Sequence, residues 1–150
     1  RTTRSHRRRA RDAQQLRRTN MSAMSNYLEL KFLDHFLGTA STSAPSTVYL
    51  SLHTADPTDA GSGAEVSTSS SGYVRKAIAF SAASSGSATN SGAVEFDTAT
   101  SSWGTITHIG IWDASSSGNL LFYGALSASK AIASGDIFKV NASGVTITAA

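Results

Sequence analysis

Cysteine is absent from the 150 residues. No disulfide framework, zinc knuckle or thiol nucleophile is therefore available, and stability has to come from packing and backbone pairing. Long apolar runs are missing too: none approaches the about 20 residues of a membrane-spanning helix, so no membrane partner is expected. Acidic residues are scarce at one end of the chain, and this splits the molecule electrostatically. Residues Arg1 to Asn20 carry eight arginines and one aspartate, a net +7, whereas Met21 to Ala150 carry five Lys or Arg against nine Asp or Glu, a net −4. The overall basic balance belongs to the first segment alone. It does not mark the whole protein as a nucleic-acid binder.

That first segment, RTTRSHRRRARDAQQLRRTN, offers little large apolar surface beyond Leu16 and cannot offset its own ordering entropy. It reads as a basic, flexible arm over residues 1–24, joined to one compact domain over 25–150. Its partner-binding residues are expected to be Arg1, Arg4, Arg7, Arg8, Arg9, Arg11, Arg17 and Arg18. Guanidinium groups pair bidentately with phosphates and with carboxylates alike. Nucleic acid and an acidic protein surface both remain open as partners of the arm. A merely solvated extension is the bland alternative, and Met21 and Met24 each suit a start.

The next stretch, SNYLELKFLDHFLG, predicts a helix over 26–37. Asn26 and Glu29 fit a capping box, Gly38 fits a C-terminal stop, and Tyr27, Leu30, Leu33 and Leu37 fall at helical spacing. Leu28, Phe32 and Phe36 form a second apolar stripe beside the first. A helix this apolar needs cover: packing under a sheet is the first expectation, and a docking face for another subunit is the second.

From Ser41 onward the punctuation becomes Ser, Thr, Ala and Gly between short segments of period two, the pattern of an all-β domain. TVYLSLH aligns Val48, Leu50 and Leu52. YVRKAIAF aligns Val74, Ile78 and Phe80 with Arg75 outward, AVEF aligns Val94 and Phe96, and TITHIGIW sets Ile109 and Ile111 against His108, Gly110 and Trp112. NLLFYGAL, DIFKV and GVTITA complete seven strands, with Phe138, Val145 and Ile147 as core. The low-complexity run SAASSGSATNSG suits an edge strand or an extended loop. Connections this short force antiparallel neighbours. The predicted architecture is an antiparallel β-sandwich with jelly-roll or Greek-key-like connections and one N-terminal α-helix, a small barrel being the runner-up.

Catalysis needs a nucleophile beside a base, paired carboxylates or a ligand cluster. No serine sits in a Gly-x-Ser-x-Gly elbow, and no Gly-rich loop carries a phosphate-binding lysine. Asp56 and Asp59 after His53 suit a metal less well than turn formation. Trp103 and Trp112, with His108, Thr105 and Thr107, suit either a packed core or a sugar-binding groove; the apolar area two indoles bring to an Ala- and Ser-rich chain favours the core. Glu95 and Asp97 share a strand face without any feature that makes them a glycosidase pair. The reading is of no enzyme, no cofactor and no metal.

The run GYVRKAIAFSAASSGSATNSGAVEFDTATSSWGTITHIGIWDASSSGNLLFYGAL, preceded by LHTADP and followed by SASKAIASGDIFKVNASGVTITAA, resembles a family of small tailed-bacteriophage virion proteins of tail-fibre-like type. The resemblance extends from about Asn26 to Ala150. Size and β-rich composition are also similar to those of capsid cement or decoration proteins. The arm departs from the family pattern, which begins near the second Met. The resemblance implies a location in the virion, oligomerisation within the particle, and a structural role without catalytic residues. A single domain without a long shaft favours cement that ties capsid subunits together, docked through Leu28, Phe32 and Phe36 and the arginines. A tail-fibre or carbohydrate-binding component is the alternative.

Overall fold

The computed structural model describes residues 19–21 and 23–149. Ten strands and one helix make up this part of the chain: β1 (Thr19–Met21), β2 (Ala23–Met24), α1 (Asn26–Phe36), β3 (Val48–His53), β4 (Lys76–Ile78), β5 (Ser87–Thr89), β6 (Val94–Glu95), β7 (Gly104–Trp112), β8 (Leu120–Ile132), β9 (Lys139–Val140) and β10 (Val145–Thr148). A five-stranded sheet runs in the order β2-β8-β7-β3-β4, facing a three-stranded sheet β1-β10-β5 and a two-stranded sheet β6-β9. All seven segments expected as strands contain one. The fold is an all-β, antiparallel sandwich, with one parallel pair, β1 with β10.

Two strands arise where residue patterning gave no alternation. Thr19–Met21 pairs with Val145–Ile147, and Ala23–Met24 pairs with Tyr123 and Phe122, so pairing reaches back into the segment expected as arm. The low-complexity run supplies β5 as an edge strand on β10. Its small side chains let the chain double back between Ser84 and Ser87, whose amides and carbonyls bond reciprocally at 2.8 and 3.0 Å. The arginines from Arg1 to Arg18, and with them the arm's expected flexibility, lie outside the described residues.

The core follows from period two. Leu50 and Leu52 of β3 lie in register with Ile111 and Ile109 of β7, and all four are buried. Val94, Phe96, Phe138 and Val145 cover them from the second layer. Tyr73, Phe96 and Trp103 form an aromatic knot, with Tyr73 and Phe96 stacked at 5.9 Å and Trp103 edge-on to Tyr73 at 5.5 Å. Each such pair adds about 0.5–1.5 kcal/mol beyond area burial. Val74, expected inside, is 47 % exposed, because regular pairing of this segment begins only at Lys76.

The helix departs most from expectation. No residue of α1 is buried, so it does not pack under a sheet. The inner face of the five-stranded sheet is already filled by the second layer, and the loop of residues 54–65 covers its outer face. The cap also differs: Ser25, not Asn26, is the N-cap, and its hydroxyl accepts from the Leu28 amide at 3.2 Å. The Ser25 amide donates to the Leu121 carbonyl at 2.9 Å, its hydroxyl donates to the Leu120 carbonyl, and the Asn26 amide donates to Asp59 O at 3.2 Å. The helix is thus tied to β8 at its first turn. It ends at Leu37, after which Gly38 takes a φ of +75°, a left-handed conformation that glycine adopts without a Cβ penalty.

Candidate functional site

Two regions qualify as sites, and they are opposites: a buried polar cluster on the outer face of the five-stranded sheet, and an open apolar face on α1. The first is built by the alternation that builds the core. Ser51 and His53 point away from Leu50 and Leu52, into the side shared by Gly110 and Trp112 of β7. Both are fully buried. The His53 Nδ1 faces the Gly63 carbonyl at 2.9 Å and so carries the hydrogen; its Nε2 lies 2.7 Å from Ser51 Oγ and accepts from that hydroxyl. Trp112 Nε1 donates to the same Ser51 oxygen at 2.8 Å. Burial holds the His53 imidazole below its ordinary pKa, and the positive Arg75 and the neighbouring His108 push the same way against the opposing pull of Gly63 and Glu65.

Gly110 is required by this crowding. A Cβ there would stand 2.7 Å from Ser51 Oγ and 2.9 Å from Leu120 Cδ1. Arg75, expected to point outward, does lie on the outer face, where its side chain is only 7 % exposed. Its guanidinium stacks on Trp112 at 3.8 Å, grips Glu65 through two bonds of 2.8 and 2.7 Å, and donates to the Ala114 and Ser117 carbonyls. Burial pushes the Glu65 carboxyl up, yet the hydrogen bonds from Arg75 and Tyr73 outweigh it and hold the group below its ordinary pKa. Burial and the adjacent Glu65 charge push the Tyr73 phenol the other way, well above its usual range.

A serine beside a histidine has the outline of a nucleophile and its base. Here the histidine is oriented by a backbone carbonyl rather than a carboxylate, the serine oxygen is occupied by an indole N–H, and neither side chain reaches solvent. This arrangement satisfies buried polar groups and pins the loop of residues 54–65 onto the sheet. The other residues singled out in the sequence are scattered. Asp56 accepts from the Thr58 amide at 2.8 Å in a turn, and Asp59 binds the Tyr123 hydroxyl, a bond that pushes the Tyr123 phenol up to about 12. Asp113 closes the hairpin to β8 through Asn119 at 2.7 and 2.9 Å. Glu95 and Asp97 engage Lys139 and Lys76 at 3.5 and 2.7 Å. His108 bonds Thr107 at 2.9 Å. Trp103 and Trp112 are 4 % and 7 % exposed, which makes them core and not a groove. Among the described residues no cluster of three or more His, Cys, Asp or Glu is placed to hold a metal.

The second region carries the surface chemistry. Six of the eight large apolar residues exposed among the described residues fall within 27–37. Leu28 is half-buried against the core; Phe32 and Phe36 are 48 % and 71 % exposed, their rings 4.7 Å apart. Together with Pro45, Val48 and Phe122 they line a groove of about 770 Å³ between α1 and the sheet. Monomeric proteins rarely leave contiguous apolar patches beyond a few hundred Å² in water, and larger ones mark contact sites. The cleft near Glu65, Ser67, Val74 and Ser117 is not legible in the sequence, because it joins three loops distant along the chain.

An antiparallel β-sandwich with a sealed interior and one exposed apolar helix is the build of a structural protein. Its sequence assigns it more narrowly: residues 23–148 match the family described as Podophage GP4 fiber I protein gp80, and the chain belongs to that family. It is a structural protein of the virion of a tailed bacteriophage, in contact there with other virion proteins. No curated protein matches it in sequence.

Proposed function

We propose that this chain is a non-enzymatic fibre component of the virion, joined to a neighbouring virion protein through the groove beside α1. The observation that carries this reading is the concentration of exposed apolar side chains on one helix of an otherwise sealed fold. Leu28, Phe32 and Phe36 supply the docking surface. The arginines at positions 1, 4, 7, 8, 9, 11, 17 and 18 extend it toward an acidic protein surface or toward nucleic acid, adding contacts that a compact block cannot reach. The family's description favours a fibre over capsid cement. Burial of both tryptophans removes the stacking platforms that a carbohydrate-binding role required of them.

Electron microscopy of the intact particle tests the reading. Density for this sandwich on the tail, lost when Phe32→Ser and Phe36→Ser are combined, is the expected result. Density distributed over the head lattice establishes cement instead. Incorporation of the double variant at wild-type level removes the helix groove as the docking site.

A further inference from the structure

The groove beside α1 carries charge of one sign over its apolar floor. Lys31 and His35, one helical turn apart, line it together with Leu28, Phe32 and Phe36, whereas Glu29 and Asp34, the two carboxylates of α1, do not. Asp113 also lines the groove, but both of its oxygens are engaged by Asn119 at 2.7 and 2.9 Å. Arg75, Lys76 and Lys139 each hold a carboxylate. Among the described residues Lys31 holds none, and its ammonium lies 5.7 Å from the centre of the Tyr27 ring. Half-buried at the rim, Lys31 keeps its charge in water while its stem covers apolar surface.

The opposite wall supplies backbone. Residues 42–46 are neither helix nor strand and stand exposed. Among the described residues, the backbone groups of Ser43, Ala44 and Ser46 pair with no other backbone group. A chain laid along such a wall gains main-chain hydrogen bonds, while every second side chain enters the floor. From Leu28 to Phe36 the helix rises about 12 Å, a length that about four extended residues span.

We infer that the groove receives an extended segment of the neighbouring virion protein in which bulky apolar side chains alternate with carboxylates. The apolar side chains lie against Phe32, Phe36 and Phe122, the backbone runs beside residues 42–46, and a carboxylate at the rim meets Lys31. This partner chemistry rests on the groove serving as the docking site, and it adds what the partner must carry. The arginine-rich segment of residues 1–18 does not qualify as the occupant: its eight arginines against one aspartate repel Lys31, and beyond Leu16 it has little to place on the floor. An ion pair at an exposed rim changes affinity by only about fivefold. The floor therefore holds the segment, and Lys31 selects its sign.

Fluorescence anisotropy of the full chain with two labelled ten-residue peptides, one alternating leucine with glutamate and one alternating leucine with lysine, reads this selection. Lys31→Glu is expected to weaken the glutamate peptide by at least about fivefold and to strengthen the lysine peptide, while Lys31→Arg keeps the wild-type preference. Combining Phe32→Ser and Phe36→Ser weakens both peptides. The arginines of residues 1–18 are present in every protein compared, so the change caused by Lys31→Glu belongs to the groove. Because these side chains are exposed or half-exposed, each variant keeps its thermal transition, which separates loss of contact from loss of fold. Equal affinity of Lys31→Glu and wild type for the glutamate peptide overturns the inference. The particle separates that failure from failure of the docking site. A Phe32→Ser, Phe36→Ser chain left out of the virion, with Lys31→Glu incorporated at wild-type level, keeps the groove as the dock and overturns its acidic partner. Incorporation of both variants at wild-type level removes the dock, and the acidic partner with it.

Discussion

Strand β7 and helix α1 are both rich in large apolar residues, yet they meet opposite fates. From Ile109 to Trp112, β7 is buried on both of its faces, whereas no residue of α1 is fully buried. The strand lies in the middle of a sheet: β3 and β8 flank it, the second layer fills one face, and the loop held by His53 and Arg75 seals the other. The helix hangs from the sheet's margin by its N-cap. Apolar side chains near the centre of a sheet act as core, and the same side chains on a peripheral helix stay exposed. Position in the topology separates the two, not hydrophobicity.

Substitutions should widen this contrast in graded steps. Trp103→Ala opens the aromatic knot and leaves the Ser71 carbonyl without its 2.8 Å indole donor. Denaturant unfolding should show a loss of about 3–5 kcal/mol, and a loss below about 1 kcal/mol would show that the knot is loosely packed. Glu65→Gln leaves the Arg75 guanidinium without its bidentate partner. The expected cost is about 2–3 kcal/mol, below the about 3–5 kcal/mol of breaking a fully buried pair, because the Glu65 side chain keeps 26 % of its surface in water. Gly110→Ala drives a methyl into Ser51 and Leu120 and should cost about 1–3 kcal/mol. An unchanged melting temperature would mean that β3 and β8 give way easily.

Acid provides a gentler test of the sealed side. Below the ordinary histidine pKa of 6.5 the unfolded chain takes up a proton at residue 53, while the folded chain, with its pKa held lower, resists it. The stability contributed by neutral His53 is therefore complete above that pH and is lost as pH falls through the depressed folded value. Glu65, also depressed, adds its own loss below its ordinary 4.5. Urea midpoints measured from about pH 7 to pH 5 should fall in the wild type and stay nearly level in His53→Gln. Equal slopes in both proteins would assign the acid sensitivity to another group. The smallest effect belongs to the open side: Phe36→Ser should move folding stability by no more than about 0.5 kcal/mol, while it weakens attachment to a neighbour. A large loss of stability would place Phe36 in the fold and not in a contact.

Much of this was legible in the residues themselves. Period two located Leu50, Leu52, Ile109 and Ile111, and the area argument put both tryptophans inside. The order of segments from Asn26 to Ala150 pointed to tailed-phage virion proteins, as the family match bears out. The polar cluster was not legible. Ser51, His53, Glu65, Arg75 and Trp112 are separated by up to 61 residues, and they meet only once β3, β7, the loop of residues 54–65 and the segment around Arg75 are in place.

Sequence by itself determined seven of the strands, the turns between them and the apolar inventory, because these depend on neighbours within a few positions. It also set the separation of charge between the first twenty residues and the rest. Tertiary structure alone decided which apolar faces were covered. Each sheet face accepts one covering layer; once the second sheet and the loop of residues 54–65 had taken both, no layer remained for the helix, and apart from Leu28 its leucines and phenylalanines stayed exposed.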